Sequence, residues 1–463
     1  MPDLAVAQRR LDSKLVMTTV TGMLLLTMVT LDTTVVNVAQ RTFVDEFSST
    51  QAVVAWTLTG YTLSLAAVIP LTGWAADRLG TKRLVLASLL LFTLGSVLCA
   101  LAPNVALLVA FRAVQGLGGG MLMPLQLVVL TRAAGPERLC RVLTISMVPV
   151  LIAPICGPIL GGWLIGAFGW QWIFLINIPV GLLTFELAKF SLPEDVPSSA
   201  EPLDVVGMLM LSPGLVLFLY GVSLLPEHGT PAEPSVWRPA TVGLILLCAF
   251  IIHSARRTNR ALIDLRLLKN RAVAAANATR FLFVVAFFGS LLLLPGYFQQ
   301  VLAKTPLESG LLLLPQTLGA AAVIPIVGAM LERKGPRRIV LFGTAFMSVG
   351  MSMFVYGITR HHVDITVLSS ALVLFGVGSG CLMTPVSWAA VHTLNPDEVA
   401  HGSTLFNVNH NTAASVGAAV MSVILTSRLH GNDLPHAYAG VFAIVIIVLL
   451  ATAIPASLLP ARA

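Results

Sequence analysis

Long apolar runs separated by short polar connections make up almost the whole of this 463-residue chain. A helix needs about 20 consecutive apolar residues to cross the hydrocarbon core of a bilayer, and each run has roughly that length. The pattern predicts an all-α polytopic membrane protein with 14 transmembrane helices. The predicted spans are 15–38, 51–73, 83–102, 105–131, 142–166, 170–192, 203–225, 238–255, 273–301, 309–331, 338–358, 364–391, 402–427 and 437–459.

Composition excludes several classes of protein. Hydrophobic residues make up 56% of the chain and charged residues only 11%, whereas soluble domains contain about 25% charged residues. A soluble protein of this composition would have too little polar surface to stay in solution. The net charge of +7 does not indicate nucleic-acid binding, because the basic residues lie in short connections beside apolar runs. The five cysteines stand singly without metal-ligand spacing, so we expect neither a metal nor a cofactor.

The basic residues also predict the orientation. With a cytoplasmic N-terminus, 21 Lys and Arg residues fall in cytoplasmic connections and 5 in outer ones. This bias follows the positive-inside rule, and an even number of spans puts both termini in the cytoplasm. Arg9, Arg10 and Lys14 precede a first span that is long enough to remain as an anchor, so we expect no cleaved signal.

An internal repeat divides the chain. Gly73–Arg83 is echoed by Gly328–Arg338, and Gly116–Pro124 by Gly376–Pro385, at offsets of 255 and 260 residues. Two echoes at nearly one offset indicate related halves of six helices, with two inserted spans between them. Related halves of this kind have a substrate site near the membrane midplane and give alternating access by rocking. The predicted division is 1–192 for the first half, 193–260 for the linker and inserted spans, and 261–463 for the second half.

Two charged side chains lie deep inside predicted spans. Asp32 lies roughly two-thirds of the way across the first span, and Arg112 lies at a similar depth in span 4. An ionised aspartate in a bilayer costs at least ~2.5 kcal/mol, so it needs water, a partner or a proton. Arginine stays charged and can stabilise the carboxylate without releasing a proton. We favour a proton-coupling role for Asp32 with Arg112 as its partner; the alternative is a permanent ion pair that only joins two helices.

Polar faces mark spans 4 and 13. Gln115 and Gln126 lie on the same face of span 4 as Arg112, and we favour a cavity wall there over a cluster that only packs helices. In span 13 we favour interhelical hydrogen bonding, with a proton relay through the histidine as the alternative. The span-13 polar cluster comprises Ser403, Asn407, His410 and Asn411.

Other residues in the spans have two interpretations each. Glu186, near the inner end of span 6, is either a second proton-coupling site or an interfacial residue that reaches headgroup water. Asn277 and Arg280 share a face of span 9; we favour an arginine that extends to the interface over one that lines a substrate cavity. Phe281 and Met383 either line a substrate pocket or pack against lipid and in the core.

Five stretches resemble motifs of the major facilitator superfamily, most closely those of its fourteen-span drug:proton antiporter family of the multidrug efflux type. They are Leu31–Ala39, Gly73–Arg83, Arg112–Gly116, Gly157–Gly162 and Trp170–Gly181. The resemblance covers essentially the whole chain. It implies a major-facilitator fold, with two related six-helix halves plus two inserted helices and with cytoplasmic N and C termini.

The resemblance also assigns roles to residues. It implies that Asn37 lines the central cavity, that a cytoplasmic loop controls gating, and that a glycine motif in span 5 is associated with antiporters. The gating-loop residues are Gly73, Asp77, Arg78, Gly80, Lys82 and Arg83, with Glu332 and Arg333 as a weaker copy in the second half. The antiporter glycine motif comprises Gly157, Pro158, Gly161 and Gly162.

The expected function is therefore secondary active transport rather than enzymatic catalysis. We expect proton-coupled antiport that exports cationic or neutral amphipathic small molecules by alternating access, from a monomer in the bacterial cell membrane. The expected partners are the substrate, protons and membrane lipids, with no nucleic acid. No phosphate-binding G-x-x-x-x-G-K-[ST] stretch occurs, so direct use of ATP is not expected. The alternatives are export of an endogenous lipid or metabolite, and a non-transporting membrane scaffold or sensor.

Overall fold

Helices account for nearly all of the described structure. The computed structural model describes residues 13–146, 148–194, 203–224, 233–256, 265–304, 306–360, 364–395, 398–429 and 433–461, and these ranges contain no strand. Twelve helices within them are long and apolar enough to cross a membrane. The all-α class predicted from the apolar runs is confirmed.

The chain divides into two compact units, Met1–Glu201 and Pro202–Ala463. The helices of the first unit are α1 (Ser13–Val38), α2 (Gln40–Glu46), α3 (Gln51–Val68), α4 (Thr72–Leu79), α5 (Thr81–Ala100), α6 (Val105–Ser146), α7 (Val148–Phe168), α8 (Trp172–Leu175) and α9 (Asn177–Ser191). Those of the second unit are α10 (Val205–Ser223), α11 (Pro234–Arg256), α12 (Arg271–Gln300), α13 (Pro306–Leu312), α14 (Leu314–Lys334), α15 (Pro336–Ile358), α16 (Ile365–Val391), α17 (Val399–Leu429) and α18 (Leu434–Ala456).

The long helices follow the predicted spans. Twelve predicted spans coincide with the twelve long apolar helices. The remaining two, 142–166 and 402–427, coincide with α7 and α17. α17 is less apolar than the twelve long helices because it contains the polar residues of span 13. The count of fourteen spans and the cytoplasmic position of the termini stay predictions.

The connection predicted between spans 4 and 5 differs from the structure. Residues 132–141 are helical, and α6 continues through them to Ser146. The helix is broken only at Gly135, where φ is 62° and ψ is 174°. This conformation costs little only for glycine, so α6 consists of two helical segments that meet at Gly135.

The repeated loop motif has the same backbone geometry in both units. Gly80 joins α4 to α5 with φ of 89° and ψ of 145°, and Gly335 joins α14 to α15 with φ of 71° and ψ of 168°. Both positions lie in the left-handed region that favours glycine. The two glycines are equivalent in the sequence echo, so the repeat extends from residue identity to local conformation.

An aromatic core lies beside the buried charges of the first unit. Phe43 of α2 contacts Trp170 edge to face at 5.5 Å and stacks on Phe174 of α8 at 6.3 Å between ring centroids. All three side chains are buried, together with Val36 of α1. Phe174 also places its ring 5.8 Å from the guanidinium carbon of Arg112. Apolar side chains therefore cover this end of the charged site.

Candidate functional site

A buried ion pair joins α1 to α6. Arg112 Nη1 lies 2.6 Å from Asp32 Oδ2, and neither side chain is exposed. The structure therefore brings together the two charged residues that the sequence places at similar depth. Because both charges are withdrawn from solvent, the pair depends on its mutual attraction and on hydrogen bonds from neighbouring side chains.

Two amide side chains donate to the same carboxylate. Gln115 Nε2 donates to Asp32 Oδ1 at 2.9 Å, and Asn177 Nδ2 donates to that atom at 3.0 Å. Both amides also donate to Ser96 Oγ, at 2.7 and 3.3 Å. Helices α1, α5, α6 and α9 therefore meet at one hydrogen-bonded group. We call it the Asp32 cluster, and it consists of Asp32, Ser96, Arg112, Gln115 and Asn177.

The guanidinium of Arg112 has partners on α3 as well. Its Nε donates to the backbone oxygen of Thr57 at 3.1 Å, and its Nη1 also donates to Gln115 Oε1 at 2.6 Å. The guanidinium carbon lies 3.9 Å from the centroid of the Tyr61 ring. A desolvated cation over an aromatic face gains about 2 kcal/mol. The positive charge is therefore compensated by Asp32 and by the ring of Tyr61 together.

Close approach of α5 and α6 positions the cluster. A Cβ atom on Gly95 would lie 2.7 Å from Gln115 Cα, a distance that real side chains essentially never adopt. Only glycine at this position lets the two helices approach so closely. The next residue, Ser96, can therefore accept a hydrogen bond from Gln115.

The sequence missed two members of this cluster. Asn177 lies in the family-like stretch Trp170–Gly181, and an amide in an apolar span is a usable signal. Ser96 carries no such signal, because serine in a helix commonly bonds to its own backbone, as Ser96 Oγ does to Phe92 O at 3.1 Å. Its second role as an acceptor for two amides depends on tertiary packing alone.

Three other predicted residues of the first unit lie outside the Asp32 cluster. The Glu186 side chain is 56% exposed on α9, and its Oε2 lies 3.9 Å from Lys189 Nζ. Its position does not support the proton-coupling assignment and fits the interfacial interpretation. Asn37 is exposed near the end of α1. Gln126 is buried on α6, and its Nε2 has no hydrogen-bond partner in the described part of the chain.

The gating loop contacts the end of the first segment of α6. Asp77 Oδ1 lies 3.7 Å from Arg132 Nη2, and Arg132 Nη1 donates to Thr81 Oγ1 at 2.8 Å. Asp77 therefore has a basic partner on another helix. Of the other loop residues, Gly73 and Gly80 are buried, Lys82 is half-buried, and Arg78 and Arg83 are exposed.

The glycine motif of α7 faces α1. A Cβ on Gly157 would collide with the side chain of Thr34, and one on Gly161 would lie 3.2 Å from Val35 Cγ1. A Cβ on Gly162 would meet no atom within 4 Å. Two of the three glycines therefore set the contact between α7 and the helix that carries Asp32. The side chains of Pro158, Glu332 and Arg333 lie outside the described residues.

We expect Gly157→Ala to lower the free energy of unfolding by about 1–3 kcal/mol, because the new methyl group overlaps Thr34 and pushes α7 away from α1. Gly162→Ala is the matched control, since it makes the same change in the same helix in open space and should cost nothing. Thermal unfolding in detergent micelles compares the two variants. Equal unfolding midpoints would contradict the role given to Gly157.

A second polar cluster joins α12 and α17. Arg280 Nη2 donates to His410 Nδ1 at 3.2 Å, and the guanidinium carbon lies 4.6 Å from the centroid of the Phe406 ring. Asn409 Nδ2 donates to the backbone oxygen of Asn277 at 2.8 Å. These contacts keep Arg280 inside the unit, which disfavours the predicted extension of this side chain to the membrane interface.

The remaining amides of the span-13 cluster bond to their own helix. Asn407 Nδ2 donates to Ser403 O at 2.9 Å, and Asn411 Nδ2 donates to Asn407 O at 2.9 Å. The bonds between helices come instead from His410, which the sequence analysis selected, and from Asn409, which it did not select.

Phe281 and Met383 are half-buried. Within the described ranges, no three His, Cys, Asp or Glu side chains meet in a way that could hold a metal ion.

Comparison with known proteins decides the family. The family model of the Major Facilitator Superfamily matches residues 22–418 and 278–462. The chain belongs to the major facilitator superfamily. It is 48% identical to the Multidrug resistance protein B homolog of Mycobacterium tuberculosis (strain ATCC 25618 / H37Rv), over 97% of this chain and 91% of that protein. It is 31% identical to the Multidrug resistance protein Stp of Mycobacterium tuberculosis (strain CDC 1551 / Oshkosh), over 88% of this chain and 75% of that protein.

Solved structures of this superfamily share the fold. The proton:xylose symporter XylE bound to 6-bromo-6-deoxy-D-glucose superimposes with a TM-score of 0.64 at 15% identity, over 96% of this chain and 95% of that one. The human organic anion transporter MFSD10 (TETRAN) gives a TM-score of 0.65 at 16% identity, over 95% and 100% of the two chains. The predicted family and the all-helical major-facilitator fold are confirmed. This superfamily member is a multi-pass membrane transporter of small molecules and not an enzyme.

Proposed function

We propose that this transporter is a proton-coupled antiporter that exports amphipathic small molecules from the bacterial cell, as in multidrug efflux. The observation that carries the proposal is the Asp32 carboxylate, fully buried in a transmembrane helix and bonded to donors from α6 and α9. The curated relatives named for multidrug resistance support the substrate class. The proton gradient is the proposed energy source.

Protonation of Asp32 would change the forces within the cluster. The ionised carboxylate accepts hydrogen bonds at both oxygens, whereas a protonated carboxyl loses its charge and gains a donor. The attraction between Asp32 and Arg112 then weakens, and a conformation that separates α1 from α6 becomes less costly. Each proton that moves inward through 100 mV releases ~2.3 kcal/mol, equivalent to a substrate concentration ratio of about 50.

Alternating access belongs to the same proposal. It takes the chain as fourteen spans with cytoplasmic termini, divided into halves 1–192 and 261–463 with an inserted segment 193–260. The repeated loop geometry at Gly80 and Gly335 supports related halves. Related halves that rock expose one site to each side of the membrane in turn. We assign the pair Asp77–Arg132 to the latching of one conformation, because its 3.7 Å separation and partial exposure make it a weak and readily broken contact.

Substrate-dependent proton movement tests the function. The purified protein is reconstituted into liposomes that enclose a pH-sensitive dye, and a panel of dyes, antibiotics and lipids is added under an imposed pH gradient. We expect amphipathic compounds to discharge the gradient, with protein-free liposomes as the control. Discharge by lipids alone would indicate an endogenous substrate. No response across the panel would indicate a non-transporting scaffold or sensor.

A further inference from the structure

The guanidinium groups of Arg112 and Arg280 have unlike surroundings. Arg112 lies 2.6 Å from the carboxylate of Asp32. Arg280, on α12 of the second unit, has no carboxylate within ion-pairing distance among the residues that the structure describes. Among the described residues, Arg280 Nη2 donates to His410 Nδ1, and the Nε of Arg280 is buried without a partner. The second unit therefore contains a guanidinium whose charge no described anion balances.

The contacts of Arg280 do not replace an anion. The Phe406 ring lies 4.6 Å from the guanidinium carbon, which is a cation–π contact with a weakly attractive aromatic face. His410 accepts through Nδ1, so it is neutral and carries its own proton on Nε2. An ionised arginine in a membrane span is costly unless an opposite charge or water reaches it. The side chains of Arg280 and His410 are half-buried, so this pair remains partly accessible to its surroundings.

Aromatic rings extend from this cation along α12. The Phe288 ring lies 5.5 Å from the imidazole of His410, and Phe287 lies 5.7 Å from Phe288. Phe287 in turn stacks on Phe375 of α16 at 6.2 Å, with 7° between the ring planes. One positive charge beside the half-buried rings of Phe287 and Phe288 is complementary to a molecule with one anionic group and an apolar body.

We propose that Arg280 and His410 form a binding site for the carboxylate of an amphipathic acid that the transporter carries. The carboxylate would accept hydrogen bonds from Nε and Nη2 of Arg280 in the side-on, bidentate arrangement that guanidinium favours. The apolar body of the acid would lie against Phe288 and Phe287. This inference rests on the proposed function, because it assigns a charge to the exported substrate. It replaces the cationic or neutral substrate expected from sequence with an anionic one.

Equilibrium binding of a matched pair of probes tests the site. The probes are 11-(dansylamino)undecanoic acid and its methyl ester, which differ only in the charge of the head group. The protein is held in phosphatidylcholine nanodiscs without any gradient, and dansyl fluorescence reports binding. We expect the wild-type protein to bind the acid about 10- to 100-fold more tightly than the ester, and Arg280→Gln to remove this preference. Arg280→Lys should keep part of it.

Arg360→Gln is the matched control. Arg360 also lies over an aromatic ring, 4.5 Å from the centroid of Tyr356, but it is exposed and lies just after the end of α15. This variant should keep the wild-type preference for the acid. Unchanged preference in a folded Arg280→Gln, or equal binding of acid and ester by the wild-type protein, would overturn the proposal. Monodispersity and the unfolding midpoint of each variant establish that it is folded before binding is measured.

A lipid headgroup is the competing source of the same negative charge. Replacing part of the phosphatidylcholine by phosphatidylglycerol decides between them. If phosphatidylglycerol abolishes acid binding to the wild-type protein, the assignment to a carried substrate is overturned in favour of an anionic lipid. Unaltered acid binding supports the substrate. Because no gradient is present, failure of this site leaves proton coupling through Asp32 to be judged separately.

Discussion

The Asp32→Asn variant is expected to move no protons when substrate is added to the reconstituted protein. Asparagine keeps one acceptor oxygen for Gln115 or Asn177, but it has no charge and no carboxyl proton to exchange. Its NH₂ group would also face Arg112, donor against donor. With a pH-sensitive dye inside the liposomes, the variant should give the signal of protein-free liposomes. The wild-type protein should discharge the imposed gradient.

Asp45→Asn provides the matched control for this prediction. It makes the same chemical change at an exposed carboxylate on α2 of the same unit, and it should retain wild-type proton movement. Both variants are first checked for a single size-exclusion peak and a cooperative unfolding transition. Wild-type proton movement by a folded Asp32→Asn would show that another group carries the proton.

Arg112→Gln is expected to lower the free energy of unfolding by about 3–5 kcal/mol, because it leaves Asp32 charged and buried without its cation. The double variant Asp32→Asn/Arg112→Gln removes both charges and leaves two neutral amides that can hydrogen-bond to each other. It should therefore be more stable than Arg112→Gln alone. Denaturant unfolding in mixed micelles gives the free energies for all three variants and the wild-type protein.

Arg132→Gln measures what an accessible ion pair contributes. The side chain of Arg132 is 32% exposed and its separation from Asp77 is 3.7 Å. Removal of this charge should cost no more than about 1 kcal/mol.

If the effects of Asp32→Asn and Arg112→Gln simply add in the double variant, the two residues are not coupled, and the ionic description of the Asp32 cluster is wrong.

The two residues that the sequence predicts to pair, and that the structure brings together, are charged groups that are costly to place in a membrane. A charged group in an apolar span is rare and expensive, so Asp32 and Arg112 are visible without any structure, and their similar depth indicates contact. The helices are equally visible, because bilayer length and apolar composition determine them. The family motifs indicate the order of the helices along the chain, but they do not indicate the contacts between helices.

Other features depend on how helices are rotated against one another. Glu186 has the type of side chain expected at a proton-coupling site, yet α9 turns it outward beside Lys189. Ser96 has the type of side chain expected in helix packing, yet α5 turns it toward the amides of Gln115 and Asn177. The rotation of a nearly uniformly apolar helix leaves little trace in its own sequence, because no polar face marks the buried side. Arg132 lies in the predicted connection between spans 4 and 5, and its pairing with Asp77 arises only because α6 extends beside the loop.

The hydroxyl of Ser96 gives the amides of the Asp32 cluster a second acceptor, which bears on the proposed protonation of Asp32. The amides of Gln115 and Asn177 each lie within reach of both Asp32 Oδ1 and Ser96 Oγ. If Asp32 takes up a proton as proposed, Ser96 Oγ remains an acceptor for both amides, so Gln115 and Asn177 keep a hydrogen-bond partner. Under the proposed mechanism, this change would affect the spacing of α1 and α6 while α5 and α9 stay packed. Asp32 would then gain and lose its proton in each turnover without local unfolding.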